Sequence, residues 1–443
     1  MACAAGRACS LYGGAFRYVV AAMMLGLAGC RAGSGQFFTG PQISPDGKTI
    51  AYARSSYAGS IGVVRDVHAR PISYSAELVL VNAESPEKVR RVRYAAGVSP
   101  GPDDWRIEMV RFSPSGERVL VGSRGFRPAA VSAADGKICK LDLGHGLQTW
   151  STVAAGWRGE SELVYVLYGD DVFEIYRQGL DEPVAARKLV YREAGERLHE
   201  VVFSPNGEWV LLKAAIGTDQ PYQLLETGTG RLRTIALPAS TNDKVSAVDV
   251  AWRPDGRMVA LVFHLLPVVQ ADGKEAGTHE ALVVFEATGD EPAEQIRQQM
   301  TLRSRAVIGW TAEGKYLVLD SHGLCALIQP EPWQVISLME KLKPLRPKRP
   351  AGEFCRVTPL PVAGWLRVAD WRKRPAEGEA VNFVAADYAL ERLVPLGALS
   401  DGVAGGHWAV SPNGDYVAVL DEGSGRVVVK GIGEGMGGLR GQD

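Results

Sequence analysis

Phe112-Ser113-Pro114-Ser115-Gly116, Phe203-Ser204-Pro205-Asn206-Gly207 and Val410-Ser411-Pro412-Asn413-Gly414 are copies of one pattern, and each leads into a run of β-branched and aliphatic side chains. Ile43-Ser44-Pro45-Asp46-Gly47 and Trp252-Arg253-Pro254-Asp255-Gly256 repeat it. Trp310-Thr311-Ala312-Glu313-Gly314 is a looser copy, and Trp157-Arg158-Gly159-Glu160-Ser161 keeps the spacing but moves its glycine. The chemistry is that of a chain reversal. Proline fixes φ at the first central position of a β-turn, Asp or Asn tolerates the second, and glycine accepts the positive φ that follows. Apolar runs on both sides of such a turn predict two antiparallel strands.

The strands that follow, among them Thr49 to Ala53, Leu163 to Leu167, Met258 to Phe263 and Tyr416 to Leu420, are apolar on both faces. Sheets of that kind are covered on both sides by other layers. The glycine-equivalent positions 47, 116, 161, 207, 256 and 314 recur at 45 to 69 residues, and the last gap, to 414, is 100. A degenerate unit around Gly364-Trp365 fits the middle of that gap. A period near 45 to 50 accommodates about four short strands. The fold expected is all-β: a β-propeller of four-stranded antiparallel blades, with eight blades, or seven if the unit near Gly364 is an insertion. The last unit lacks an outermost strand, and the segment Gln36 to Gly40 is the candidate to complete it.

Two segments break the period. Residues 54 to 78 read as a long loop in the first unit. Pro332 to Arg349 carries Val335, Ile336, Leu338, Met339 and Leu342 at helical spacing, with Lys341, Lys343, Arg346, Lys348 and Arg349 behind them. It reads as an amphipathic helix over the propeller edge, or as a docking element for a partner or anionic headgroups.

The repeated aromatic-Ser-Pro-Asp/Asn-Gly followed by an apolar strand resembles the WD-like repeat of TolB-type propellers, shared with the propeller domains of prolyl oligopeptidases. The resemblance spans residues 38–432. It implies the propeller fold and a role in binding partners in the cell envelope. No counterpart of that family's amino-terminal α/β domain is recognisable. The signature residues themselves build turns.

Ahead of the repeats, Arg7 and Arg17 precede an apolar stretch from Tyr18 to Leu27, too short to span a bilayer as a helix but suited to a signal peptide. It stops at Leu27-Ala28-Gly29-Cys30, which resembles the lipobox of bacterial lipoproteins. The expected organisation is a signal peptide over 1–29, a lipidated Cys30 with a tether over 30–37, the propeller over 38–432 and a flexible tail over 433–443. Arg31 stands where an inner-membrane retention signal would carry aspartate. The outer membrane, facing the periplasm, is therefore the expected location.

Removing residues 1–29 leaves 47 basic against 50 acidic side chains, and no long basic run remains. Nucleic-acid binding, which depends on neutralising phosphates, is not expected. No two of Cys3, Cys9, Cys30, Cys139, Cys325 and Cys355 stand in a Cys-x-x-Cys arrangement, so no zinc site and no cofactor is expected. Cys325 and Cys355 flank the same insertion and are the pair closest to a disulfide. Gly97-Val98-Ser99-Pro100-Gly101 matches a serine-hydrolase string without its strand–turn–helix context. No catalytic residue is assigned.

Innermost strands line a propeller's channel, so residues at a fixed offset before the turn glycine form a ring. Seven positions before it lie Gly40, Met109, Ala154, Glu200, Asp249, Val307 and His407. Glu200, Asp249 and His407 are the candidate ligand residues at the channel mouth, for a cation or the basic end of a peptide. The function expected is a membrane-anchored platform binding an envelope protein or peptide without catalysis. The alternatives are a propeller hydrolase or lyase with its site in the channel, and an accessory or sensor subunit of an envelope complex.

Overall fold

Six of the seven signature turns join two antiparallel strands in one register: Ile43 faces Ile50, Phe112 faces Val119, Phe203 faces Val210, Trp252 faces Val259, Trp310 faces Leu317 and Val410 faces Val417. The degenerate unit obeys it too, with Pro359 facing Leu366 and Gly364 at φ +82°. The computed structural model describes residues 32–60, 63–64, 67–68, 73–97, 107, 109–123, 126–140, 151–169, 172–194, 200–213, 222–235, 245–265, 279–288, 294–301, 306–321, 324–345, 357–370, 381–399, 408–421 and 424–432. Residues 1–31 with Cys30, then Cys355, His407 and residues 433–443, lie outside them.

Eight antiparallel meanders follow one another along the chain. Six have four strands, the first has five and the last has three; a separate two-stranded ladder pairs Val63–Val64 with Val67–His68. The molecule is an eight-bladed β-propeller, and the unit at Gly364 is its seventh blade.

Side-chain alternation explains why the sheets form a ring. In the third blade Leu163, Tyr165 and Leu167 pack on the second blade, while Val164 and Val166 pack on the fourth. All five are at most 1 % exposed. The same division holds at every step, giving eight apolar clusters, each shared by two consecutive sheets. The eighth joins Ile50, Tyr52, Val79 and Val81 of the first blade to Tyr416, Ala418, Leu420 and Val427 of the last, and this closes the ring. Burying one such side chain contributes about 1.5–3 kcal/mol, and a single sheet has no way to gain it on both faces.

The signature residues act within this packing. Ser44 is buried; its hydroxyl donates to Asp46 Oδ1 at 2.6 Å and accepts the Thr49 N–H at 2.9 Å. Ser204 repeats the arrangement with Asn206 and Trp209. The turns also nest against the blade before. A Cβ built on Gly207, at φ +67°, would lie 2.0 Å from the Trp157 carbonyl oxygen. Gly159 has the same φ, and nothing lies within 4 Å of its Cβ position. It serves a tighter hairpin, in which Arg158 faces Glu162, and so accounts for the displaced glycine of the third unit.

Three expectations are corrected. Gln36 to Phe38 do not complete the last blade: Ala32–Phe38 pairs with the first blade's second strand, Phe38 opposite Arg54. The ring closes through side chains instead, with Phe38 packed on the closing cluster and the Tyr416 hydroxyl donating to the Gly47 carbonyl at 2.7 Å. Residues 54 to 78 are not simply a loop, since Thr49–Ser60 and Ser73–Asn82 pair as far as Ala58 opposite Ser73. Serine supports a ladder that an apolarity criterion misses, through a 2.8 Å hydrogen bond between the Ser56 and Ser75 hydroxyls. Helical spacing from Pro332 gives a strand, Trp333–Ser337, and only one helical turn, Met339–Leu342. Cross-strand partners outweigh the helical period there: Val335 and Ile336 pair with Ile328 and Leu327. Leu338, Leu342 and Leu345 fill the gap between the sixth and seventh blades, which answers to the edge-packing reading.

Gly207→Ala adds a backbone collision to the strain of positive φ, whereas Gly159→Ala adds strain alone. Urea unfolding should show a loss of at least about 3 kcal/mol for the first and about 1–2 kcal/mol for the second. Equal losses would mean the turns do not nest.

Candidate functional site

The first strands of neighbouring sheets are the ones that approach each other around the ring, and so they surround the axis. They are Gln42–Ile43, Met109–Phe112, Ser151–Arg158, Glu200–Phe203, Val245–Trp252, Val307–Trp310, Val357–Pro359 and Trp408–Val410. All signature turns leave these strands on one face of the propeller. The connections from second to third strands emerge on the other.

Of the three candidate residues, Asp249 is the one whose side chain is described. It sits on the innermost strand of the fifth blade, half-buried. One carboxylate oxygen accepts the N–H of Val250 at 3.0 Å, and the other accepts the N–H of Ile308, on the sixth blade's innermost strand, at 3.1 Å. Its placement ties adjacent blades together. Glu200 begins the fourth blade's innermost strand, where its backbone pairs opposite Lys213. Its side chain, like the whole of His407, lies outside the described residues. The described geometry therefore brings no two of the three together.

Two residues on second strands do the same work as Asp249. Asp320 is buried, and its Oδ2 accepts the Val357 N–H of the seventh blade at 2.7 Å. The Ser55 hydroxyl accepts the Ile107 N–H at 3.1 Å. Two signature tryptophans tie each blade to the one before: Trp157 Nε1 donates to the Arg111 carbonyl at 3.1 Å and Trp310 Nε1 to the Ala251 carbonyl at 3.0 Å. Isolated innermost strands leave backbone donors on their channel side, and a carboxylate or hydroxyl aimed along the ring satisfies them.

A buried carboxylate also lies farther out. Glu174 in the third blade accepts the Tyr176 hydroxyl at 2.7 Å and lies 3.4 Å from Arg192 Nε. Burial, then the bond to Glu174, pushes the Tyr176 hydroxyl up to about 12. Both side chains face the second blade and belong to the packing between blades.

Arg111 is different, and the seven-residue offset passed over it. It occupies the innermost strand of the second blade, opposite Leu120. The residues in that register elsewhere are Gln42, Gly156, Val202, Ala251, Gly309, Thr358 and Ala409, none charged and most of them small. The Arg111 side chain is solvent-exposed, yet surrounding protein holds its guanidinium below the usual arginine value through burial. Arg111 thus stands exposed on an innermost strand, one of those that surround the axis. No carboxylate among the described residues forms an ion pair with it. Reading the ring two residues closer to each turn would have found it. Among the described residues, no group of three or more His, Cys, Asp or Glu is placed to hold a metal ion.

No family model matches the chain, and no curated protein matches it. Solved structures do. A dihydro-heme d1 dehydrogenase, NirN, is 17% identical over 81% of this chain and 66% of that one, with a TM-score of 0.46. The chain thus spans just under two thirds of that structure's length. The Kuenenia stuttgartiensis hydrazine synthase is 12% identical over 73% of this chain and 94% of that one, TM-score 0.42. An oligogalacturonate lyase in complex with manganese is 9% identical over 90% and 97%, TM-score 0.42. These are likenesses of fold.

Asp249→Asn leaves one of two N–H groups facing an amide NH₂, and Asp320→Ala leaves the Val357 N–H without its acceptor. Each should cost about 1–3 kcal/mol in urea unfolding. Arg111→Ala should stay within about 0.5 kcal/mol of wild type. A large loss for Arg111→Ala would mean that it, too, is structural.

Proposed function

We propose that this chain is an envelope lipoprotein, anchored through Cys30 and facing the periplasm from the outer membrane, whose propeller is a non-enzymatic platform for a protein or peptide. The observation that carries the platform reading is the contrast on the inner ring. Asp249 on an innermost strand, with Asp320 and Ser55 on the second strands behind it, is committed to backbone donors of the next blade, so this polarity stiffens the ring. Arg111 alone of the charged inner-ring side chains described here is left to meet a ligand. A stiff surface loses little freedom on binding, which is how a platform gains affinity without a catalytic group. The cation favours an acidic group on what enters the channel. The anchor rests on the Leu27-Ala28-Gly29-Cys30 sequence alone.

Two measurements test the reading. The full chain made in a bacterial host should incorporate labelled palmitate and pellet with membranes, and Cys30→Ser should abolish both. Affinity capture from native membranes should return one partner with wild type and, for about a tenfold affinity loss, far less of it with Arg111→Ala. Turnover of a small substrate by the purified propeller, or capture unaffected by Arg111→Ala, would contradict the platform assignment.

A further inference from the structure

Among the described residues the last blade stops one strand short of the rest. Its sheet ends at Arg426–Gly431, which pairs inward with Tyr416–Asp421, while the seven other blades carry a fourth strand outside the third. The outer edge of Arg426–Gly431 has no strand on it among the described residues. It is therefore recessed by about 4.8 Å relative to the neighbouring rims.

Side chains around the notch are those of an inner strand left uncovered. Val427 and Val429 turn toward the first blade, joining the closing cluster. Arg426, Val428 and Lys430 turn toward the seventh blade and are exposed, Val428 by 45 %. Across the notch, Val89 of the first blade lies opposite Val81, a member of that closing cluster, and is 46 % exposed. Two of the molecule's exposed large aliphatics thus flank the missing strand, one toward each of its faces.

We propose that the edge Arg426–Gly431 receives an extended strand from an acidic partner, completing the eighth blade by β-addition. Backbone pairing would supply affinity, and side chains the choice of partner. On the face shared with Arg426, Val428 and Lys430, the incoming residues are acidic, apolar and acidic in turn. On the face toward Val89, the two intervening residues are apolar. The motif is acid-apolar-apolar-apolar-acid, which reads the same in either strand direction. A second copy of this chain does not fit, because antiparallel self-pairing centred on Val428 sets Arg426 against Lys430. Nor does the chain's own end, since the glycines at 433, 435, 437, 438 and 441 make a poor strand. The inference concerns the outer rim and is independent of what the channel binds.

The test uses the full chain and two labelled peptides, Gly-Ser-Glu-Ile-Val-Ile-Glu-Ser-Gly and the same peptide with lysines for the glutamates. Fluorescence polarisation should show the acidic peptide binding at least about tenfold more tightly than the basic one. Hydrogen exchange across Arg426–Gly431 should slow on its addition. An Arg426→Glu, Lys430→Glu double variant should reverse the preference. Equal binding of the two peptides, no binding of either, or an unchanged preference in the double variant would overturn the proposal, leaving the two cations as protection for an open edge. Protection of the same amides before any peptide is added, lost on deleting residues 433–443 or on dilution, would also overturn it, by assigning the notch to the chain's own tail or to a second copy.

Discussion

Each sheet of this protein is apolar on both faces, and no sheet can bury both faces by itself. That constraint decides the architecture. A row of such sheets would leave two wet apolar faces at its ends; a ring leaves none. The closing cluster between Ile50, Tyr52, Val79 and Val81 and Tyr416, Ala418, Leu420 and Val427 is therefore the contact on which the other seven interfaces depend. It forms without the exchanged strand that the sequence suggested, because Phe38 and the hydroxyls of Tyr52 and Tyr416 bridge the seam from within their own sheets.

Closure has a polar counterpart at the centre. Strands around the axis have backbone donors with no fourth neighbour, and the chain answers with Asp249, Asp320 and Ser55 aimed along the ring. Charge placed there for stiffness is not available for a ligand, which is why an acidic residue on an innermost strand is weak evidence for a binding site in such a fold. An exposed cation without an ion-pair partner among the described residues, like Arg111, is stronger evidence. The rim shows the same logic in reverse: where the eighth blade has no outer strand among the described residues, side chains suited to an inner position meet solvent.

The fold was legible in the sequence because turn chemistry is local. Pro and Gly at fixed offsets state φ directly, and even the degenerate unit at Gly364 could be placed by period. Elements without that punctuation were misread. Pairing decides between helix and strand at Val335 and Ile336, and the Ser-rich ladder beyond Arg54 has no apolar alternation to announce it. The candidate site was legible only in outline. An offset identifies which residues stand on innermost strands, but the direction of a carboxylate depends on the neighbouring blade's backbone, as Asp249 and Ile308 show. The inner-ring position that matters was visible as an irregularity, one arginine among glutamine, glycine, alanine, valine and threonine, and needed the correct register to be noticed.

Native-state hydrogen exchange tests the central claim most directly. If closure makes the ring one cooperative unit, the slowest amides of the second strands, from Ile50 in the first blade through Leu163 and Leu261 to Val417 in the last, share one opening free energy. A gradient of protection, highest in the middle blades and falling toward the first and last, would describe an open stack of repeats and contradict the account.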